Sequence, residues 1–388
     1  MVQDWFEQLF GFVEVDYDRT KQLLRVHGSD SGLLLESLVN KKSYCVGSFG
    51  TPSLGELRAE FLSLGEHGRG RLQVQNEIGD VAAKHALPAN RHATFQVASQ
   101  FNCLEFVGPS VTPEDGITGY VRDRTQGPAC SIACGPATAY RNFFAPVRGQ
   151  TGQASRNQIN NLEDLCVEID RKSAKRRRGS DGFSGPSLGS RFLEVRGGYT
   201  LASHRQLAHL NAVLRSLSEE ELDELRQCLR VGLHADVQVT SFAWGSRAVK
   251  DSGQQVTQVF GSACSVACNR ESSQQDWEPL ARLVLEASYE ATLLSALLQA
   301  RRHGGEDGSR RVFLTCLGGG VFGNHMAWIA DAMRRAFACL QDEDLDVRII
   351  TYAGSPAPEL VRLEQDPFGT KSKPGPQSTG SCYGGSGT

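Results

Sequence analysis

A glycine-rich loop near the C-terminus lies between an apolar segment and an amphipathic one, and this arrangement limits the folds open to the chain. The segment 312–316 is short and apolar, which indicates a buried strand. The segment 326–340 carries apolar residues at helical spacing, which indicates a helix. Glycines let backbone N–H groups approach an anion closely, and a helix N-terminus adds unpaired donors and a partial positive charge. The segment therefore predicts an α/β protein that holds a phosphate. The loop residues are Gly318, Gly319, Gly320, Val321, Phe322, Gly323 and Asn324.

The spacing of Gly318, Gly320 and Gly323 also fits the fingerprint of dinucleotide-binding proteins. That interpretation requires an acidic residue at the end of the next strand, 347–352, to bind the ribose, but the first acid beyond this strand is Glu359. The chain after the loop is also too short for most of a six-stranded dinucleotide fold. An NAD-dependent oxidoreductase stays open as an alternative, as does a tight turn without a ligand.

Composition excludes several classes of protein. The chain has 388 residues, of which 40% are hydrophobic, and its net charge of −3 gives no general attraction to nucleic acid or anionic membranes. No apolar run reaches the length of about 18 residues typical of a membrane span, and the first residues do not resemble a signal peptide. The eleven cysteines include no CxxC pair, which favours reduced thiols over a zinc site. We expect a cytoplasmic protein with no membrane partner, no metal and no cofactor.

The chain divides by composition into three parts. Residues 1–93 are interpreted as an N-terminal extension with the first strands, 94–363 as the core, and 364–388 as a disordered tail rich in Gly, Ser, Pro and Lys. Within the core, residues from about 146 to 190 are interpreted as an insertion-like region. Its basic run, Arg171–Arg178, is typical of a solvated loop, although a nuclear-import signal or a nucleic-acid contact stays open.

Polar side chains concentrate after the predicted strand 94–100, in a turn-rich stretch that extends to residue 128. In α/β proteins, ligands usually bind where strands end in loops of this kind. The stretch contains acids and amides that could position a water molecule or a sugar. The candidate residues are Asn102, Glu105, Glu114, Asp115 and Asp123.

Four of these candidates also have a structural explanation. Thr112 can begin a short helix in which Glu114 and Asp115 complement the partial positive charge of the first turn. Asn102 and Asp123 have no such local explanation, but they could still form internal hydrogen bonds.

Together the two segments resemble a macrodomain, the fold that binds ADP-ribose. In that family an early strand ends in an Asn-containing segment and a glycine-containing loop follows. Late in the family's domain, a strand leads to a phosphate loop, a helix and a last strand. In this chain the corresponding positions are occupied by Asn102, the loop 116–119, the loop 320–324 and the strand 347–352. The resemblance implies an α/β/α sandwich of three layers with a mixed sheet and a large insertion, or substrate-side cap, at about 146–250.

The resemblance also implies an ADP-ribosyl hydrolase, with a non-catalytic ADP-ribose reader as the alternative. Hydrolysis breaks the glycosidic bond at the distal ribose through an oxocarbenium-like transition state. Because acids are abundant near the first loop, we favour the hydrolase. Asp123 is the first candidate to orient the attacking water, and Glu114 or Asp115 is the second.

The ligand implied by the resemblance is ADP-ribose, free or attached to a protein. The glycine loop would hold the diphosphate and Phe322 would pack on the distal ribose. Tyr352 would either stack on adenine or belong to the core at the end of its strand. Nucleic acid is not the expected partner, because the basic run lacks interleaved aromatic residues. The predicted ligand-binding residues are Asn102, Glu105, Gly318, Gly319, Gly320, Val321, Phe322, Gly323, Asn324 and Tyr352.

Overall fold

Strands and helices alternate along the chain, as the apolar periodicity predicts. The structure, a computed structural model, describes residues 4–29, 32–65, 70–178, 192–306 and 308–369. The strands are β1 Leu24–Ser29, β2 Gly32–Ser37, β3 Ser43–Gly50, β4 Gln73–Ile78, β5 Thr94–Ala98, β6 Pro146–Val147, β7 Gln150–Thr151, β8 Glu194–Arg196, β9 Tyr199–Leu201, β10 Gly232–Gln238, β11 Ser241–Phe242, β12 Arg247–Ala248, β13 Gln255–Gly261, β14 Arg311–Leu314 and β15 Asp346–Thr351. The α-helices are α1 Trp5–Phe10, α2 Tyr17–Gln22, α3 Leu54–Ser63, α4 Val81–His85, α5 Gln126–Ala133, α6 Gly135–Phe143, α7 Glu163–Arg178, α8 His204–Arg215, α9 Glu219–Cys228, α10 Gln274–Arg302, α11 Met326–Cys339 and α12 Pro358–Gln365.

Nine of these strands form one sheet in the order β1-β2-β3-β10-β13-β5-β14-β15-β4. The five strands from β13 to β4 run parallel to one another. In contrast, β10 is antiparallel to both β13 and β3, and β1, β2 and β3 form an antiparallel meander. The sheet is therefore mixed, as predicted.

Alternate residues of the central strands face two separate apolar cores. Phe95 of β5 and Phe313 of β14 pack on one face, in a core that also contains Cys130 of α5. Val312 and Leu314 point to the other face, where the core includes α10 and α11. This alternation follows from the pleat of a strand, in which successive side chains point to opposite faces. Helices cover both faces, so the predicted three-layer α/β/α sandwich is confirmed.

The helix α10 is the largest single support of the sheet. Nearly all residues from Leu280 to Ala300 are buried, which agrees with the core-facing spacing in the sequence. Its N-terminus is capped by Ser273, whose side chain accepts a hydrogen bond from the Asp276 N–H. In the middle of the helix, Thr292 Oγ1 accepts a hydrogen bond of 2.9 Å from the Gln96 amide of β5. This buried bond fixes α10 against the strand that leads into the site described below.

The basic run is part of the helix α7, so the prediction of a solvated loop at Arg171–Arg178 is wrong. The Lys172 ammonium is buried and lies 2.5 Å from a carboxylate oxygen of Glu224. Arg176 donates to Glu221, in the first turn of α9, at 2.9 Å. The acids at the start of α9 therefore attract this basic face of α7 and hold the two helices together.

The strands before residue 94 belong to the main sheet rather than to a separate extension. Likewise β10, which falls within the predicted insertion 146–250, lies between β3 and β13. The Gly/Ser-rich stretch 179–190 and most of the predicted tail, 370–388, lie outside the described residues. Among the helices of the described ranges, none has both the length and the apolar character needed to cross a bilayer.

Candidate functional site

A cavity of about 300 Å³ opens at the carboxyl ends of the parallel strands. The loops after β5, β13 and β14 form its walls, together with the end of β15 and the start of α5. In a sheet of this kind the loops that follow neighbouring parallel strands meet at one edge, which is where α/β proteins usually bind ligands. The lining residues are Ala98, Ser99, Gln100, Glu105, Val107, Asp123, Thr125, Gln126, Gly127, Tyr199, Gly261, Ser262, Ala263, Thr315, Cys316, Leu317, Gly318, Gly320, Val321, Phe322 and Ile350.

The glycine loop after β14 reaches its conformation because two of its residues lack a side chain. Gly318 has φ +68°, and a Cβ there would lie 2.4 Å from Asn324 Nδ2 and 2.6 Å from Ala263 Cβ. Gly323 has φ +69°, with Ala267 Cβ at 2.8 Å from the corresponding position. Left-handed backbone and close packing both require glycine at these positions. Gly320 differs, because the space around its Cβ position is open.

Several backbone donors of this loop are unoccupied. Among the described residues, the N–H groups of Gly318, Gly320, Val321 and Phe322 have no hydrogen-bond partner. The loop is instead held from behind by Asn324, whose N–H donates to Gly318 O at 2.9 Å and whose side-chain amide donates to Cys264 O at 2.8 Å. A rigid loop with free N–H donors beside a cavity is suited to bind an anion.

The N-terminus of α5 supplies a second group of free donors. Gln126 and Gly127 both line the cavity, and their N–H groups have no partner among the described residues. The helix also has no side-chain cap. A Cβ at Gly127 would lie 2.0 Å from Ala98 O and 2.4 Å from Glu105 Oε2, so only glycine lets the helix start this close to β5 and Glu105.

Glu105 places a buried carboxyl group at the cavity wall. The residue is 3% exposed, and its Oε1 atom has no hydrogen-bond partner. Burial raises the pKa of this carboxyl well above its ordinary value, the positive charge of Arg141 partly opposes the rise, and the negative charge of Asp123 adds to it. The backbone is fixed by Tyr120, whose hydroxyl accepts a hydrogen bond of 2.9 Å from the Glu105 N–H. Burial at the cavity wall therefore favours the protonated form of Glu105.

Asp123 is the second carboxyl group in the cavity, and its surroundings differ. It is half-buried, and its Oδ1 accepts a hydrogen bond of 3.0 Å from the Thr125 N–H. Two carboxyl groups in one cavity, one buried and one partly exposed, can take different roles in acid–base chemistry. The pair of Glu105 and Asp123 can therefore perform acid–base chemistry.

The structure places the other two predicted acids away from the cavity. Asp115 ends a short 3₁₀ helix, and its carboxylate accepts hydrogen bonds from the N–H and the hydroxyl of Thr112, at 2.8 and 3.1 Å. The Glu114 carboxylate accepts from the Ser155 N–H at 2.8 Å. Both acids stabilise loop structure and neither lines the cavity, which favours the structural explanation of these two residues over a catalytic one.

Some predicted ligand-binding residues also lie behind or beside the cavity instead of lining it. Asn102 is completely buried, donates to Gln158 Oε1 at 2.8 Å and accepts from the Leu104 N–H at 3.1 Å. It shapes the loop that presents Glu105. Tyr352 follows β15 and is 68% exposed. The predicted binding residues outside the lining are Asn102, Gly319, Gly323, Asn324 and Tyr352, and the predicted residues within it are Glu105, Asp123, Gly318, Gly320, Val321 and Phe322.

An aromatic wall of the cavity was not predicted from the sequence. Tyr199 packs against Phe322 with ring centroids 5.3 Å apart, and its hydroxyl donates to Phe106 O at 2.6 Å. Tyr199 comes from the short hairpin of β8 and β9, far from either predicted loop in sequence. Ser262 and Gly127 were also missed, although each directly follows a strand or begins a helix, and these are the signals that could have identified them.

No protein-family model and no curated protein sequence matches the chain. Among solved structures, it is similar to poly(ADP-ribose) glycohydrolase from Thermomonospora curvata bound to the inhibitor ADP-HPD, with a TM-score of 0.39 and 15% identity over 88% of this chain and 92% of that chain. It is also similar to poly(ADP-ribose) glycohydrolase from Deinococcus radiodurans in complex with ADP-ribose, with a TM-score of 0.41 and 14% identity over 82% of this chain and 94% of that chain. Likenesses of this size carry no functional inference.

Proposed function

We propose that the chain binds ADP-ribose in the cavity and hydrolyses the glycosidic bond that joins the distal ribose to a modified target, such as an ADP-ribosylated protein. The observation that carries this proposal is the buried Glu105 carboxyl, which has an unpartnered oxygen and shares its cavity with the free N–H groups of the glycine loop. The cavity thus combines an anion site with an acid, and a nucleotide sugar attached to a leaving group requires both.

The diphosphate would bind between the two groups of free donors. The loop donors come from Gly318, Gly320, Val321 and Phe322, and the partial positive charge at the α5 N-terminus adds to them. Fixed backbone donors hold an anion without the entropy cost of ordering long side chains. This arrangement would set the position of the distal ribose relative to Glu105.

The distal ribose would lie between the aromatic wall and the two acids. Tyr199 and Phe322 provide an apolar surface on which the sugar can pack, and Phe322 has this role in the prediction from sequence as well. Glu105 and Asp123 would then face the anomeric carbon. Since a displacement of about 1 Å can cost a hundredfold in rate, a rigid wall of this kind contributes to catalysis through positioning.

The reaction would proceed by acid–base catalysis. Protonated Glu105 gives its proton to the leaving atom of the target as the bond to the anomeric carbon breaks. Asp123 accepts a proton from the water that attacks the same carbon, so the products are ADP-ribose and the unmodified target. The roles rest on the different surroundings of the two acids, one buried and one half-buried.

The Glu105 carboxyl also favours the hydrolase over a reader module. A reader needs donors and an apolar surface, but it gains nothing from a buried carboxyl with an unpartnered oxygen, which destabilises the fold. Such groups are concentrated at catalytic sites.

An NAD-dependent oxidoreductase is less consistent with the topology. In the dinucleotide fold the glycine loop follows the first strand and the parallel strands have the order 3-2-1-4-5-6. Here the glycine loop follows β14, next to last along the chain, and the parallel strands have the order β13-β5-β14-β15-β4. No acid follows β15 directly, since the next residues are Tyr352, Ala353 and Gly354.

Calorimetry with ADP-ribose, AMP and NAD tests the ligand. We expect micromolar affinity for ADP-ribose and much weaker binding of AMP, because AMP lacks the diphosphate and the distal ribose. Tightest binding to NAD would instead support an NAD-dependent oxidoreductase. Binding of ADP-ribose without any release from arginine-, serine-, glutamate- or nucleic-acid-linked substrates would show a reader and contradict the hydrolase.

A further inference from the structure

Three side chains of metal-ligating type converge at the opposite end of the sheet from the cavity. His92 precedes β5, Asp236 lies in β10, and His303 follows the last turn of α10. The His92 N–H donates at 2.7 Å to the carbonyl of Gln255, the first residue of β13. This bond places the three residues, here called the His–Asp–His cluster, at the amino ends of the parallel strands.

The donor atoms of the cluster lie close enough to share one ion. His303 Nε2 is 2.7 Å and His92 Nδ1 is 3.7 Å from the same oxygen, Asp236 Oδ1. One atom from each residue falls within 4.8 Å of the other two. The two imidazole rings stack with centroids 3.9 Å apart at an angle of 20°. The side chains are 18%, 34% and 20% exposed for His92, Asp236 and His303, which leaves solvent a path to the cluster.

Two of the three residues have a left-handed backbone conformation, which is uncommon for residues other than glycine. His92 has φ +62° and Asp236 has φ +57°. Asp236 lies where the register between β10 and β13 shifts, between His234 and Val237. In addition, His92 Nδ1 is buried without a hydrogen-bond partner. Left-handed residues whose side chains converge on an unpartnered nitrogen indicate a site shaped for a ligand.

We propose that the His–Asp–His cluster binds one divalent first-row transition-metal ion, with Zn²⁺ as the best match. Two imidazole nitrogens and one carboxylate oxygen form a donor set that such ions prefer, whereas Ca²⁺ and Mg²⁺ prefer oxygen ligands alone. Three protein ligands leave the remaining coordination position to water.

The charges around the cluster are compatible with a cation. Glu306 lies near His92, and its negative charge favours a positive ion there. Arg91 is the neighbouring positive group, and its guanidinium is paired with Asp251 at 2.5 Å. The ligands come from three distant positions, with Asp236 and His303 67 residues apart, so no local spacing in the sequence indicates this site.

A bound ion would join the end of α10 to β10 and to the entry of β5. Because all three elements belong to the sheet and its main supporting helix, the expected consequence is greater stability of the folded chain. The proposal is independent of the proposed hydrolase, since the cavity lies at the other end of the strands.

The test uses the full chain after removal of metal by a chelator. Titration with Zn²⁺ is followed by calorimetry and titration with Co²⁺ by its visible absorption, for the wild type, His303→Gln, Asp236→Asn and the control His209→Gln. His209 is exposed on α8 and outside the cluster. Circular dichroism checks that every variant is folded.

We expect one equivalent of each metal to bind to the wild type and to His209→Gln, with a raised unfolding temperature. Binding should weaken at least tenfold in His303→Gln and in Asp236→Asn, and the cobalt spectrum should lack a thiolate charge-transfer band. Asp236→Asn keeps the shape of the side chain, so a folding defect in the histidine variant would not hide the result. The proposal is overturned if the folded wild type binds neither metal, or if both cluster variants bind as the wild type does, which would place the ion on the cysteines.

Discussion

Two pairs of acids from one stretch of the chain have opposite fates. Glu105 and Asp123 line the cavity, whereas Glu114 and Asp115, which lie between them in sequence, direct their carboxylates to nearby backbone and hydroxyl groups. Asp123 also accepts a backbone hydrogen bond, from the Thr125 N–H at 3.0 Å, so the two pairs differ first in their position relative to the cavity. Within the cavity, the unpartnered oxygen of Glu105 identifies the acid that is most available for chemistry.

The largest effect is expected for Glu105→Gln, which removes the proton donor and keeps the shape of the side chain. Release of ADP-ribose from a pool of ADP-ribosylated proteins should slow by about a hundredfold to ten-thousandfold, the usual contribution of a general acid. The matched control is Glu114→Gln, which makes the same chemical change outside the cavity and should stay within about twofold of wild type. Equal losses of activity in both variants would show that Glu105 has no catalytic role that Glu114 lacks.

Asp123→Ala should reduce release by about a hundredfold, because Asp123 is expected to accept the proton of the attacking water. ADP-ribose affinity, measured by calorimetry, should change far less, since the group acts mainly in the transition state. Asp115→Ala serves as control and should leave release nearly intact. If Asp123→Ala is fully active and Asp115→Ala is not, Asp115 rather than Asp123 acts in the reaction.

Gly320→Val separates binding from folding. The Cβ position of Gly320 is open, so the branched side chain should fit the free protein but block a diphosphate that approaches the loop N–H groups. We expect ADP-ribose to bind at least about tenfold more weakly, or about 1.4 kcal/mol, with an unchanged midpoint of denaturant unfolding. The contrast is Gly127→Ala, which meets Ala98 O at 2.0 Å and should destabilise the fold by about 1–3 kcal/mol. Unchanged affinity in folded Gly320→Val would remove the glycine loop from the site.

The pKa of Glu105 predicts a pH dependence of stability that needs no substrate. Since folding raises this pKa above its ordinary value of 4.5, the protonated carboxyl contributes stability below the pKa of the unfolded chain, and this contribution is lost as the pH rises toward the folded pKa. Urea unfolding of wild type and Glu105→Gln should therefore diverge, with the wild type losing about 1.4 kcal/mol per pH unit relative to the variant in that window. A difference that does not change with pH would show that folding does not raise the pKa of Glu105.

The parts of the site that the sequence predicted are those determined by local chemistry. The glycine loop at 318–324 follows from one strand, one turn and one helix, and the structure places these elements as predicted. The sequence predicts Glu105 only as a ligand-binding residue and not as an acid. The environment of its carboxyl depends on the close approach of α5 and on the charge of Arg141, and the local sequence reveals neither. Asp115 was misplaced for the opposite reason, since its bonds to Thr112 are local and could have been given more weight.

Residues from distant parts of the chain could not be predicted. Tyr199 reaches the cavity through the hairpin of β8 and β9, and it packs on Phe322 of the distant glycine loop. The prediction of a solvated loop at Arg171–Arg178 was wrong for a related reason, because Lys172 is stabilised by Glu224 of another helix. Periodicity indicates which face of an element is buried, but it does not indicate which distant side chain covers that face.

A crystal structure of Glu105→Gln bound to ADP-ribose tests the central claim most directly, because this ligand contains both the diphosphate and the distal ribose that the cavity should hold. The account predicts the diphosphate within hydrogen-bond distance of the N–H groups of Gly320, Val321 or Phe322, and the anomeric carbon of the distal ribose beside residue 105 and Asp123. A diphosphate bound elsewhere, or a distal ribose beside Glu114 and Asp115, would contradict it.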